Sequence, residues 1–265
     1  MNVELLSKYN FVTAWHLTDI GNLPSIVEHG LLARNVVTNQ GIHANEVGST
    51  EIVKTRKEWS DYALTFVTPY NKFIFNRPYW HLQQHPNSPG LCLLELDLIL
   101  AVDLAEQEVK ISSGLLSKTT FKPEVGPIDK FEDILDWHAL LDKNEQRTES
   151  VLFARGAEVL FPNLISASCI RRVWIPGQSE TQKFNELQTG LQAELGESLF
   201  KKSVPLPSPA LHNFQKRRKS GPTLIFHKKF GRGEIVSQLG LRAVVEFEKF
   251  GTQLIRFSDY DWPDE

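Results

Sequence analysis

The segment Val204-Pro205-Leu206-Pro207-Ser208-Pro209 constrains the chain more than any other. Its three prolines remove backbone donors and bias their predecessors to extended geometry, so neither a regular helix nor a sheet interior can pass through it. Lys216-Arg217-Arg218-Lys219 and then Ser220-Gly221-Pro222 follow. The chain is therefore expected to divide into a first domain over residues 1–200, a linker over 201–221 and a small second domain over 222–265. Charge divides at the same place. The formal net charge is -3, which taken alone argues against a nucleic-acid partner. Residues 201–265, however, carry 12 Lys/Arg against 7 Asp/Glu, a balance of +5, and residues 1–200 carry 17 against 25, a balance of -8. The near-neutral sum averages two unlike parts.

Several classes are set aside by composition. With 41% hydrophobic and 23% charged residues the chain reads as soluble and globular rather than disordered or fibrous. No apolar run approaches the roughly 20 residues of a membrane span, and Met1-Asn2-Val3-Glu4 lacks a basic n-region, so a cytoplasmic protein with no membrane partner is expected. Cys92 and Cys169 both sit in apolar surroundings and are expected as buried thiols, a disulfide being the lesser alternative. Two cysteines are too few for a cysteine-based zinc site.

Along the first domain, the stretch Asn22 to Leu32 reads as a short helix with Pro24 in its first turn and Gly30 as its stop. Asp61 to Pro69, Leu91 to Leu98, Ala157 to Pro162 and Ile170 to Pro176 read as strands. Lys183 to Phe200, with Leu187, Leu191 and Leu195 four apart, fits an amphipathic helix. Strands and helices do not alternate as βαβ units, so an α+β fold is expected. After the linker, three β runs starting at His227, Leu241 and Gly251 are separated by glycine turns, with Gly231-Arg232-Gly233 read as one such turn. They suggest a small SH3-like or Tudor-like β-barrel.

No GxGxxG, Walker loop, GxSxG or HExxH motif occurs. Three segments place polar groups where burial is expected. In Trp15-His16-Leu17-Thr18, His16 and Thr18 would share one face of a strand, which a surface strand explains as well as a ligand site does. In Arg155-Gly156-Ala157-Glu158-Val159-Leu160-Phe161 a carboxylate enters an apolar strand and must be paired, ligand-bound or at the strand end. A salt bridge with Arg155 or a nearby lysine and a catalytic role are equally open. Tyr62 to Phe75 is aromatic-rich, and packing explains most of its rings.

In this order, His16-x-Thr18…Asn22-Leu23-Pro24-x-Ile26-x3-Gly30-Leu31, Arg56, Asp61-Tyr62-x3-Phe66-x2-Pro69-x-Asn71, Asp136-Trp137 and Arg155-x-Ala157-Glu158-x-Leu160 resemble the DarT family over about residues 8–178. Its members are ADP-ribosyltransferase toxins that modify nucleobases in single-stranded DNA. The resemblance implies a split β-sheet core with helices and NAD as co-substrate, without a metal. It implies that His16 and Thr18 hold the nicotinamide and its ribose, with Asn22 nearby. Arg56 would sit by the pyrophosphate and reacting ribose, Tyr62 and Phe73 would line the nicotinamide pocket, and Glu158 would be the catalytic carboxylate. Such a carboxylate stabilises the oxocarbenium-like centre formed as nicotinamide leaves, and can accept a proton from the attacking base. The chain departs from the family's pattern at Phe73, at Thr65-Phe66-Val67, at Tyr70 and at Gly156, where members carry methionine, a richer Tyr-Phe run, a basic residue and glutamine. The last two lie near the acceptor side and bear on which base is modified, and on DNA versus RNA.

The C-terminal pattern His227-x2-Phe230-Gly231-x-Gly233-x-Ile235-Val236…Ala243-x-Val245-x-Phe247-x2-Phe250-Gly251 is similar to the Tudor-like domain that ends UvrD/PcrA-type helicases. That similarity implies docking on transcription or repair machinery. Arg155 and Lys216, Arg217, Arg218 and Lys219 are the expected nucleic-acid contacts, although a solvated basic linker explains the last four equally well. The leading expectation is an NAD-dependent ADP-ribosyltransferase acting on single-stranded DNA, as the toxin of a toxin–antitoxin or phage-defence pair with a separate macrodomain antitoxin. ADP-ribosylation of RNA or protein is the alternative among enzymes, and a non-catalytic nucleic-acid-binding adaptor the alternative outside them.

Overall fold

The computed structural model describes residues 6–7, 9–69, 81, 85, 87–117, 122–141 and 149–200, together with the strands lying between 224 and 261. The linker 201–221 lies outside the described residues.

Among the described residues, ten strands belong to the first 200: β1 (Thr13–Asp19), β2 (Leu31–Leu32), β3 (Tyr62–Phe66), β4 (Leu91–Asp97), β5 (Lys110–Ser112), β6 (Val125–Pro127), β7 (Glu158–Pro162), β8 (Leu164–Ile165), β9 (Ile170–Ile175) and β10 (Ala193–Leu195). Eight of them form one sheet in the order β10-β9-β4-β1-β3-β7-β5-β6, while β2 and β8 make a small separate pair. β4 is an interior strand, between β9 and β1, and Leu91, Cys92, Leu93 and Leu94 are all buried. Such a continuous apolar run, with no alternation until Glu95, is what a strand covered on both faces requires.

Pairing is uneven across the sheet. β1 and β4 run antiparallel over seven pairs, from Thr13↔Asp97 to Asp19↔Leu91. β3 and β7 match over five, from Tyr62↔Pro162 to Phe66↔Glu158. Between these halves, β1 and β3 share only Trp15↔Phe66. The sheet thus consists of two four-stranded halves hinged at one residue pair, and it opens beside that pair.

Helix α1 (Leu23–His29) has Pro24 in its first turn, where a missing N–H costs nothing. It stops at Gly30, whose φ of 83° favours glycine. A Cβ there would meet the Ile165 carbonyl oxygen at 2.6 Å, so the glycine also lets β2 approach β8. The main core joins Ile20, Leu23, Leu94, Phe131, Val159 and Phe161, while Leu17, Phe66, Leu91, Leu93, Leu115 and Leu199 form a smaller cluster.

Two expectations are corrected. The amphipathic helix over Lys183–Phe200 is instead a helix over Gln178–Glu186, strand β10, and a 3-10 turn over Glu197–Phe200. Gln188 and Gly190 take positive φ (49° and 73°), which turns the chain so that 193–195 pairs parallel with β9. The four-residue leucine spacing therefore spans a turn and a strand, and Leu195 ends up 52% exposed. In the C-terminal region the three β runs resolve into five strands: β11 (Leu224–His227), β12 (Gly231–Leu239), β13 (Arg242–Phe247), β14 (Gly251–Arg256) and β15 (Tyr260–Asp261). They form an antiparallel sheet ordered β14-β13-β12-β11-β15. Gly231 and Gly233 are not a turn: they lie within β12, opposite His227 and Ile225. Cys92 and Cys169 are free and buried, as their apolar surroundings suggested.

Candidate active site

Glu158 opens β7 and is 1% exposed. A lone carboxylate in that position would be prohibitive, and both of its oxygens are engaged. Arg56 Nη2 donates to Oε1 at 2.6 Å, and the Leu116 N–H donates to Oε2 at 3.0 Å. The Glu158 N–H donates to Ser112 Oγ at 2.9 Å, and that hydroxyl donates to the Gly114 carbonyl at 2.8 Å. Burial raises the Glu158 carboxyl above the ordinary glutamate range; Arg56 and the Leu116 N–H oppose that rise without cancelling it. The partner is thus Arg56, 102 residues away, and not the adjacent Arg155 that the local sequence offered. Arg155 instead donates from Nε to the Ala139 carbonyl at 3.1 Å.

Arg56 ends helix α2 (Thr50–Thr55), donating its own N–H to the Ile52 carbonyl, and leads into a 3-10 turn over Lys57–Trp59. The guanidinium side chain is 14% exposed. This turn delivers a cation to the opening between the two sheet halves, where it meets Glu158.

A cavity of about 540 Å³ occupies that opening, within the range of small-molecule sites. β1 contributes His16 and Thr18; Asn22 follows at the start of α1; Arg56, Trp59 and Tyr62 form the facing wall, with Glu158 between them. His16 Nδ1 donates to the Leu64 carbonyl at 2.8 Å, spanning the gap between β1 and β3. That bond places the proton on Nδ1 and leaves Nε2 as an acceptor. Burial lowers the His16 pKa, so the ring stays neutral. Asn22 Nδ2 donates to Thr18 Oγ1 (3.2 Å) and to the Asn45 carbonyl (3.0 Å), while Asn22 Oδ1 accepts the Asn45 N–H (2.8 Å). Tyr62 lies between the Trp59 ring at 6.1 Å and Lys110 Nζ at 5.5 Å.

Of the residues singled out from sequence, His16, Thr18, Asn22, Arg56, Tyr62 and Glu158 meet around this one cavity, and Arg155 does not line it. Phe73 and Lys216, Arg217, Arg218 and Lys219 lie outside the described residues. Sequence reasoning missed Ser112 and Leu116, which hold Glu158 from a strand and loop with no motif of their own. It also missed Asn45 and Trp59, and a buried cluster behind β1. There Asp19 Oδ2 accepts from His81 Nε2 and Ser88 Oγ, each at 2.5 Å, and Oδ1 accepts the Gly21 N–H at 2.7 Å. Burial pushes the Asp19 carboxyl up, but the bonds from His81, Ser88 and Gly21 together hold it below its ordinary value. Asp19-Ile20-Gly21 carries a local turn signal, whereas nothing near His81 marks it as Asp19's partner. Among the described residues no group of three or more His, Cys, Asp or Glu side chains is placed to hold a metal ion.

A sheet split over a cavity, with a buried Arg–Glu pair at its edge, has the layout of a transferase of the ADP-ribosylating class. The family described as "DarT: ssDNA thymidine ADP-ribosyltransferase, DarT" matches residues 15–202. The chain belongs to the DarT family, whose co-substrate is NAD. No curated protein matches the sequence significantly. Among solved structures, Thermus sp. 2.9 DarT in complex with ADP-ribosylated ssDNA is similar at a TM-score of 0.59 and 14% identity, covering 72% of this chain and 97% of that one. Thermus sp. 2.9 DarT in complex with NAD+ gives 0.56 and 14%, covering 72% and 98%. Thermosipho africanus DarTG in complex with ADP-ribose gives 0.59 and 15%, covering 71% of this chain. This chain spans about half (51%) of the length of that DarTG chain. At these identities the likeness is one of fold.

Proposed function

We propose that this protein cleaves NAD and attaches the ADP-ribose to the base of a nucleotide in single-stranded DNA, that of thymidine as in the family description. The observation that carries the reading is the buried Arg56–Glu158 pair at the wall of the cavity between the sheet halves. In the reaction the bond from the ribose C1′ to the nicotinamide nitrogen breaks, and neutral nicotinamide leaves with the electron pair. A base nitrogen then bonds to C1′ and gives up its proton. Glu158, as carboxylate, stabilises the positive charge at C1′ and receives or directs that proton. Leu116 N–H and Arg56 fix its two oxygens, so its orientation is set before substrate arrives. His16, Thr18, Asn22 and Tyr62 hold the nicotinamide end, with neutral His16 presenting an acceptor and no charge to a cationic ring. The family resemblance adds Phe73 to the residues proposed to bind nicotinamide. A single-stranded acceptor lets the base reach the site without unpairing.

The domain division at 1–200, 201–221 and 222–265 belongs to the same reading. The five-stranded antiparallel sheet supports a Tudor-like module in the last segment, docking on transcription or repair machinery. Arg155 and Lys216, Arg217, Arg218 and Lys219 lead the DNA strand to the site. The protein acts as the toxin of a toxin–antitoxin or phage-defence pair, in the cytoplasm, with a separate macrodomain hydrolase as antitoxin. No helix among the described residues is long and apolar enough to cross a membrane.

The test is incubation with labelled NAD and, separately, single-stranded DNA, duplex DNA, RNA and protein extract. Label on single-stranded DNA that disappears in Glu158→Ala supports the proposal. Transfer to RNA or protein alone overturns the DNA acceptor, and nucleic-acid binding without any transfer leaves an adaptor.

A further inference from the structure

The turn that carries Arg56 holds a second group with no task in the transfer step. Trp59 closes the turn, its backbone N–H donating to the Arg56 carbonyl at 2.9 Å. Its indole Nε1 is shielded from water, as is Arg56 Nε, and neither has a hydrogen-bond partner among the described residues. Both residues line the cavity. Native structures rarely keep a shielded N–H without an acceptor, because it has surrendered water for nothing. Two such donors, three residues apart on one turn that borders one cavity, have the form of a site awaiting oxygens. Within the wall, the Trp59 ring is set against Tyr62 at an interplanar angle of 57°.

We infer, on the reading that NAD fills this cavity, that Trp59 is a further binding residue whose indole N–H donates to an oxygen of the ADP-ribose portion, beside the Arg56 Nε–H. The chemistry of the pair selects that portion. A guanidinium N–H and an indole N–H are donors only and form their strongest bonds with anionic oxygens. The diphosphate supplies such oxygens, whereas the nicotinamide ring of NAD is cationic and is disfavoured beside a guanidinium. The role differs from that of Glu158: it concerns affinity for the co-substrate, not the breaking of the glycosidic bond.

Calorimetric titration of the full chain with NAD and with ADP-ribose tests this, comparing wild type with Trp59→Phe, which keeps a ring against Tyr62 and removes only the donor. Both ligands should bind the variant about ten- to thirtyfold more weakly. Equal affinity overturns the inference while leaving the proposed function standing. Loss for NAD with none for ADP-ribose overturns the assignment to the ADP-ribose portion. A wild type that binds neither ligand overturns the proposed function, and this inference with it. A second measurement on the wild type does not depend on the variant folding. With indole nitrogens labelled, saturation with ADP-ribose should shift one of the six tryptophan N–H resonances downfield, and the absence of any such shift overturns the inference.

Discussion

Glu158 carries two demands that pull in opposite directions with pH. Burial raises its pKa in the folded state, so between the ordinary glutamate value and the raised one the folded protein binds more protons than the unfolded chain. Stability is therefore full below the ordinary value and falls as pH rises through that window. Catalysis needs the ionised form, so the transfer rate should climb through the same window. A single-turnover pH–rate profile should reach its plateau above the ordinary glutamate range; a plateau already complete within that range excludes this account. Glu158→Gln should lower the rate by about 10²–10⁴-fold. It also leaves the Arg56 guanidinium without its counter-charge, at a cost of about 1–3 kcal/mol in denaturant unfolding. His16 behaves oppositely. Its lowered pKa means the folded ring resists protonation, so its contribution to stability is present above the ordinary histidine value of 6.5 and is lost as pH falls below it. Replacing His16 with Asn should flatten that acid limb of the stability profile.

Elements matter here chiefly for how closely they approach one another. Gly156 precedes β7, and a Cβ on it would meet Leu115 Cβ at 2.7 Å. Leu115 neighbours the N–H that holds Glu158 Oε2, so Gly156→Ala should displace that donor and reduce transfer activity about tenfold or more, by the cost of one charge-assisted hydrogen bond. Activity unchanged beside wild-type stability would show that the loop has room. A larger side chain at this position cannot be accommodated on this backbone without moving Leu115. Gly30, at the cavity's edge, is constrained by backbone geometry instead. Its φ is 83°, and an alanine methyl there would sit 2.6 Å from the Ile165 oxygen. Gly30→Ala should therefore cost about 1–3 kcal/mol, read as a shift in denaturation midpoint. Strand β4 is legible from sequence because its run of buried leucines is a local pattern. The segment from Lys183 to Phe200 misleads because a leucine every four residues does not reveal the two positive-φ residues, Gln188 and Gly190, that break it.

For the whole molecule, charge distribution outweighs net charge. If Lys216, Arg217, Arg218 and Lys219 track phosphates, replacing all four by alanine should reduce the salt dependence of single-stranded DNA affinity by roughly 0.7 for each phosphate released, about 3 in the log–log slope. Filter-binding or anisotropy titrations at several salt concentrations read this directly, and an unchanged slope makes the stretch a solvated linker. The sequence by itself determined four of the ten strand positions among the first 200 residues, β3, β4, β7 and β9, and the ordered residues that mark the DarT family, because apolar periodicity and motif order are local properties of a chain. Only the tertiary structure decided which cation neutralises Glu158, that Ser112 and Leu116 orient it, and that His81 and Ser88 bond Asp19 from 62 and 69 residues away. Those pairings follow from strand order and from a sheet that parts beside Trp15↔Phe66. No local preference encodes which distant side chains such an opening will bring within hydrogen-bond reach.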